Sequence, residues 1–232
     1  MSTKEPKPKT PMVELLGDCA SNSLTADNGG PLYVSLTEGA PESRLAIMVG
    51  DNASGKSLMI RFLATLLNEE KTEPLQVSMK YRTAAGMHRV FMFGDDQEES
   101  TGAVSLHAVE GAIRTANGRE SPCWVMLDEP DVGLSDSYCR ALGTYLAGHA
   151  NTLPGENFQG MVVVTHSKTL VAALLANAQH RPHFLAVGER RQGQSIEDWL
   201  ADTSERSVEE LLALGNKGRD TWQAINRILR SK

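Results

Sequence analysis

The sequence predicts an α/β fold: a mainly parallel sheet flanked by helices, with antiparallel strands towards the N-terminus and a helical tail at the C-terminus. Three observations predict it. Short, almost continuously apolar runs at 44–50, 123–127 and 160–165 have the pattern of strands buried on both faces of a parallel sheet. Stretches with helical apolar spacing separate them, and strands alternating with helices give βαβ units. After about residue 190 the strand pattern stops, and two capping-box spellings follow, Ser195-Ile-Glu-Asp198 and Ser207-Val-Glu-Glu210.

Element by element, residues 1–12 read as a flexible arm, because Pro6, Pro8 and Pro11 favour extended chain and no apolar core follows the lysines to make a signal peptide. Residues 13–190 read as the main domain, and 191–232 as a tail packed on it or extending it. Residues 32–36 alternate and predict a strand, closed by the turn residues Gly39 and Pro41. A helix follows over 56–68, where Leu58, Ile60, Phe62, Leu63, Leu66 and Leu67 are apolar. Two further strands, 75–81 and 89–93, flank a turn at Ala84-Ala85-Gly86. Helices are predicted near 103–116, 135–149 and 168–178, and a strand near 183–187. In the tail, Trp222, Ile225, Ile228 and Leu229 share one helix face.

Composition bounds the function classes. At 232 residues, 41% hydrophobic and 22% charged, the chain can bury a full core without disulfide or metal staples. A net charge of −6 argues against non-specific coating of nucleic acid, so any such contact is local. Cys19, Cys123 and Cys139 form neither a disulfide framework nor a zinc cluster and read as buried thiols of a reducing compartment. No apolar run is long enough for a membrane helix, so a soluble, cytoplasmic protein is expected.

The chemistry starts at Gly50-Asp51-Asn52-Ala53-Ser54-Gly55-Lys56-Ser57, which fits G-x-x-x-x-G-K-[ST] between a buried strand and a helix. In such a P-loop NTPase motif the glycines let backbone N–H groups curl around phosphate oxygens at a helix N-terminus. Lys56 then reaches the terminal phosphates of ATP, and the Ser57 hydroxyl holds Mg2+. The run 124–127 ends in Asp128-Glu129-Pro130, which puts carboxylates at the strand end where ligands of open α/β sheets bind. Asp128 is the expected second Mg2+ ligand, acting through a water, and Glu129 the base that polarises the attacking water.

Leu127-Asp-Glu-Pro-Asp-Val-Gly-Leu-Ser135 resembles the Walker B and D-loop run of ATP-binding cassette (ABC) ATPases. It is most similar to soluble members such as the OLD-type, RecF-like and chromosome-maintenance ATPases. Val162-Val-Val-Thr-His166-Ser167 looks like the family's strand ending in a histidine that senses the γ-phosphate, and the motif order matches. The resemblance covers about residues 32–187 and implies an ATP-dependent homodimer, sandwiched head-to-tail around two nucleotides. It also assigns Ser100-Thr101-Gly102 as a reduced signature segment that caps the partner's ATP, although an ordinary helix N-cap explains the same residues. Gln97 becomes a candidate Q-loop glutamine touching Mg2+.

Departures from the family are visible too. Between Lys56 and Ser100 there is room neither for a transporter's helical subdomain nor for a coiled coil, Ser135 replaces the D-loop aspartate, and no aromatic residue stands out as an adenine platform, Tyr33 being the only nearby candidate and reading first as strand packing. Lys80, Arg82, His88, Arg89, Arg190, Arg191 and the C-terminal Arg219, Arg227, Arg230 and Lys232 read as solvated cations before they read as a nucleic-acid surface. Trp199 and Trp222 read as core or interface anchors. The resulting expectation is a compact Mg2+-dependent ATPase that serves as a switch or motor for a partner protein, in DNA metabolism or antiviral defence. The energising subunit of a membrane transporter and an ATP-binding module with negligible hydrolysis are the alternatives.

Overall fold

The computed structural model describes residues 11–22, 24–78, 100–152, 157–188 and 193–230. Among these residues six strands form one sheet: β1 (Val34–Thr37), β2 (Leu45–Gly50), β3 (Glu73–Ser78), β4 (Cys123–Asp128), β5 (Phe158–Thr165) and β6 (His183–Val187), in the order β1-β6-β2-β5-β4-β3. Five of them run parallel; β1 alone pairs antiparallel, against β6. The expected antiparallel part is therefore a single edge strand among the described residues. β3 joins the other edge parallel to β4, and the expected hairpin mate at 89–93 lies outside the described residues.

Among the described residues eight α-helices accompany the sheet: α1 (Met12–Ala20), α2 (Lys56–Glu69), α3 (Thr101–Asn117), α4 (Asp136–Thr152), α5 (Lys168–Asn177), α6 (Ile196–Ala201), α7 (Val208–Leu212) and α8 (Leu214–Arg230). Period-two alternation in the strands divides the core in two. Leu45, Ile47 and Val49 of β2 join Val125, Leu127 and Val163 under α3, α4, α5 and α6. Ala46 and Met48 join Met126, Val162 and Val164 under α1 and α2, with Ile225 of α8. Because both faces are covered, β2 and β4 are buried along their whole length, which is why they read as unbroken apolar runs. Helix α1 had no expectation in the sequence; its Met12, the last residue of the expected arm, is buried together with Leu15, Leu16 and Cys19.

The connections place a crevice. The chain leaves β2 through α2 on one face and crosses to β3 at the sheet edge. It then returns by α3, β4, α4 and β5 with helices on the opposite face, and α5 carries it past β2 to β6. At the carboxyl ends of the neighbours β2 and β5 the chain thus departs to opposite faces, the switch point at which open α/β sheets bind ligands. Among the described residues no helix is long and apolar enough to cross a membrane. Both predicted capping boxes form, Ser195 with Asp198 and Ser207 with Glu210.

Candidate functional site

β2 ends at Gly50, and the loop 51–55 turns the chain into α2. Gly55, at the helix N-cap, has φ 105°, a left-handed conformation that a side chain would strain. Ala53 adopts φ 59° in the same loop, and the Ser54 N–H donates to the Asp51 carbonyl at 3.2 Å. Among the described residues, the N–H groups of Asn52, Ala53 and Gly55 donate to no protein acceptor, and the buried Ser54 hydroxyl has no partner. Unfilled donors at the start of a helix are the ingredients of an anion cradle.

Lys56 is 5% exposed and folds back over the loop. Its Nζ donates to the carbonyls of Gly50 at 2.9 Å and Asp51 at 3.0 Å, and lies 3.0 Å from Nε2 of His166. His166 follows β5, the neighbour of β2. The same Nε2 is 3.0 Å from Oε1 of Glu129, the residue after β4. One ring nitrogen cannot serve both contacts at once. Carrying a proton, it donates to Glu129; carrying a lone pair, it accepts from the Lys56 ammonium. Three chemically active groups from the ends of three adjacent strands thus meet at one atom.

Glu129 has φ 59°, a left-handed conformation unusual for a residue with a side chain, and its N–H donates to the Val164 carbonyl of β5 at 2.8 Å. Backbone strain of this kind costs about 1–3 kcal/mol and gathers at functional positions. Asp128, 6% exposed at the end of β4, accepts a hydrogen bond from the Ser78 hydroxyl at 2.9 Å; the two residues are register partners of β4 and β3.

Asp131 makes a contact beside these residues that sequence reasoning missed. Its Oδ1 accepts from the Thr165 hydroxyl at 2.7 Å, and Thr165 Oγ1 accepts from the Ser167 N–H at 2.9 Å, so the chain on either side of His166 is tied to the turn after Glu129. Burial pushes the Asp131 carboxyl up, against the opposing pull of the Thr165 hydrogen bond. Thr165, spelled directly before His166, was the available signal.

The signature candidate lies against that turn within the same chain. Ser100 caps α3, its hydroxyl accepting from the Ala103 N–H at 3.2 Å, as the ordinary N-cap reading of the sequence requires. A Cβ on Gly102 would stand 2.8 Å from Leu134 Cδ2 and 2.9 Å from the Gly133 carbonyl oxygen, so only glycine allows this approach. The Ser105 hydroxyl donates to the Val132 carbonyl at 2.7 Å and holds the two segments together. Gln97, together with Lys80, Arg82, His88 and Arg89, lies outside the described residues.

The tail closes the other side. Arg206 forms an ion pair with Asp51 of the loop 51–55 and a second, at 3.5 Å, with Glu210 one turn further on. A cleft of about 380 Å³ opens between residues 52–58, Glu129 and one face of α8 that carries Gly218, Thr221, Trp222 and Ile225. Beside it a second cleft of about 380 Å³ is lined by Asp51, Asn52, His166, Arg206, Glu210 and Lys217. Nothing local in the sequence announced that the tail would lie over the loop. A further cleft of about 340 Å³ sits at the opposite end of the sheet, between Arg44, Asn151 and His180, away from the strand ends that ligands use.

The donor set suits Mg2+ carried in with phosphates. Among the described residues there is no cluster of three or more His, Cys, Asp or Glu side chains able to cage a metal alone. The Ser57 hydroxyl and the Asp128 carboxylate are hard oxygen donors, and Mg2+ keeps its waters and binds through one or two carboxylates plus substrate phosphates. The cysteines are all buried. Burial, assisted by Asp18, pushes the Cys19 thiol up to about 12, which leaves it inert. In comparisons with known proteins, no protein-family model matches the chain and no curated protein shows significant similarity to it.

Proposed function

We propose that the chain binds Mg2+–ATP on the loop 50–57 and hydrolyses the bond to the γ-phosphate, in the manner of the soluble ABC-type ATPases its motifs resemble. The observation that carries this reading is the approach of Lys56 and Glu129, each to 3.0 Å from Nε2 of His166, at the carboxyl ends of β2, β4 and β5. The free N–H groups of Asn52, Ala53 and Gly55 receive phosphate oxygens. Lys56 exchanges the Gly50 and Asp51 carbonyls for the terminal phosphates, a charge-assisted contact in place of neutral ones. Ser57 and Asp128 would hold Mg2+, which would supply charge neutralisation to those phosphates. Glu129 takes the proton of the water that attacks phosphorus as the bond to the β-phosphate oxygen breaks, and His166, released from Lys56, donates to the γ-phosphate.

A head-to-tail homodimer in which Ser100 and Gly102 cap the partner's nucleotide belongs to the same reading, and so does service as a switch for a partner protein. Any nucleic-acid contact is local, given the net charge of −6. The transporter alternative is disfavoured by the short stretch between Lys56 and Ser100. The binding-module alternative is disfavoured by the presence of both Glu129 and His166. Steady-state phosphate release, measured beside ATP binding, tests the assignment. Glu129→Gln is expected to retain ATP binding, lose about 10²–10⁴-fold in turnover, and shift towards dimer on a sizing column when ATP is added. Wild-type turnover in the Glu129→Gln protein, or none in either, contradicts the role given to Glu129.

A further inference from the structure

The cleft has two chemically different walls. The loop wall offers N–H groups and Lys56, which suit an anion. The opposite wall is one face of α8, where Gly218, Thr221, Trp222 and Ile225 fall at helical spacing. Ile225 is 2% exposed, packed among the α1 and α2 side chains, and so fixes the helix. Trp222, three residues earlier, is 50% exposed. Gly218 lies one turn before Trp222 on the same face and has no side chain to fill the gap; a Cβ there would come 3.5 Å from the Ala53 Cβ. The Thr221 hydroxyl is turned to the Lys217 carbonyl at 2.9 Å. The helix therefore presents a flat aromatic surface across from a phosphate loop, in a space of the size that small-molecule ligands occupy. A ligand matching both walls carries an anionic chain at one end and a flat, weakly polar ring at the other.

We infer that Trp222 is a base-binding residue: the indole forms the surface on which the nucleobase of the loop's triphosphate ligand stacks, so the tail is half of the binding site. The inference rests on the nucleotide reading of the loop and adds to it an element outside the region that carries the family resemblance. Polyphosphate without a base uses the loop wall alone, whereas a nucleoside triphosphate uses both.

The test compares ATP with inorganic tripolyphosphate, each with Mg2+, on the full chain by calorimetry. Trp222→Ala is expected to weaken ATP by about 5- to 150-fold, the span of base–aromatic stacking, and to leave tripolyphosphate unchanged; Trp222→Phe is expected to recover most of the loss. Fluorescence supplies an independent readout. Trp124 and Trp199 are 3% and 4% exposed, so an emission change seen with ATP and not with tripolyphosphate reports Trp222. Unchanged ATP affinity in Trp222→Ala overturns the inference. So does an equal loss for both ligands, which marks a merely structural helix, or a Phe variant no better than Ala. If the wild type binds neither ligand, the phosphate-loop reading itself fails; if it binds both equally, only the base subsite fails.

Discussion

The strand-end wall of the two clefts stands on β2 and β4, buried from end to end, and on β5 between them, whereas the tail wall stands on α7, which lines the second cleft and has no buried residue, and on α8, where Ile225 is the buried anchor among the described residues. Lys56, Asp128, Glu129 and His166 are thus set by the packing of a two-sided core, and displacing one requires moving a strand. Arg206 and Trp222 are set by an ion pair about a third exposed and by the seating of one amphipathic face. The two clefts thus join a wall built on buried strands to a wall with one buried anchor among the described residues. Local stability differs accordingly, and elements that must admit a ligand are drawn from the weaker side.

Two substitutions measure that difference. Gly102→Val drives a side chain into Leu134 and the Gly133 carbonyl, where the surrounding turn carries Glu129 and Asp131, and a destabilisation of about 1–3 kcal/mol is expected from overpacking. Urea unfolding followed by circular dichroism reads it. Arg206→Ala removes the tail's ion pairs to Asp51 and Glu210 and is expected to cost about 0.2–1 kcal/mol globally, as exposed pairs do. Its larger signature is local: faster hydrogen exchange in α7 and α8, with β2 and β4 unchanged. An Arg206→Ala protein less stable than Gly102→Val, or one whose exchange rises equally in the strands, breaks the contrast between the walls.

The strand-end wall was legible in the sequence because burial on both faces leaves unbroken apolar runs, and the residues that end those runs, Gly50, Asp128 and Thr165, mark the edge at which open α/β sheets bind ligands. Even so, the sequence put the residues in order along the chain and not in space. That β5 lies between β2 and β4, so that His166 reaches both Lys56 and Glu129, is a matter of strand order. Asp131 escaped notice because its partner Thr165 is 34 residues away. The tail wall was illegible for a stronger form of the same reason. The pair Arg206 and Asp51 is separated by 155 residues, and a capping box specifies where α7 starts without saying what it covers. Trp222 read as a core or interface anchor because periodicity places it on the apolar face of α8; its half exposure beside the loop 51–55 is a product of docking.

The claim that residues 50–57 hold a nucleoside triphosphate is tested most directly by calorimetric titration of Mg2+–ATP into the wild-type chain and into Lys56→Ala, with the fold of both proteins checked by circular dichroism. Saturable binding to the wild type and no measurable binding to a folded Lys56→Ala protein is the result expected. Equal affinity for the two proteins would contradict it.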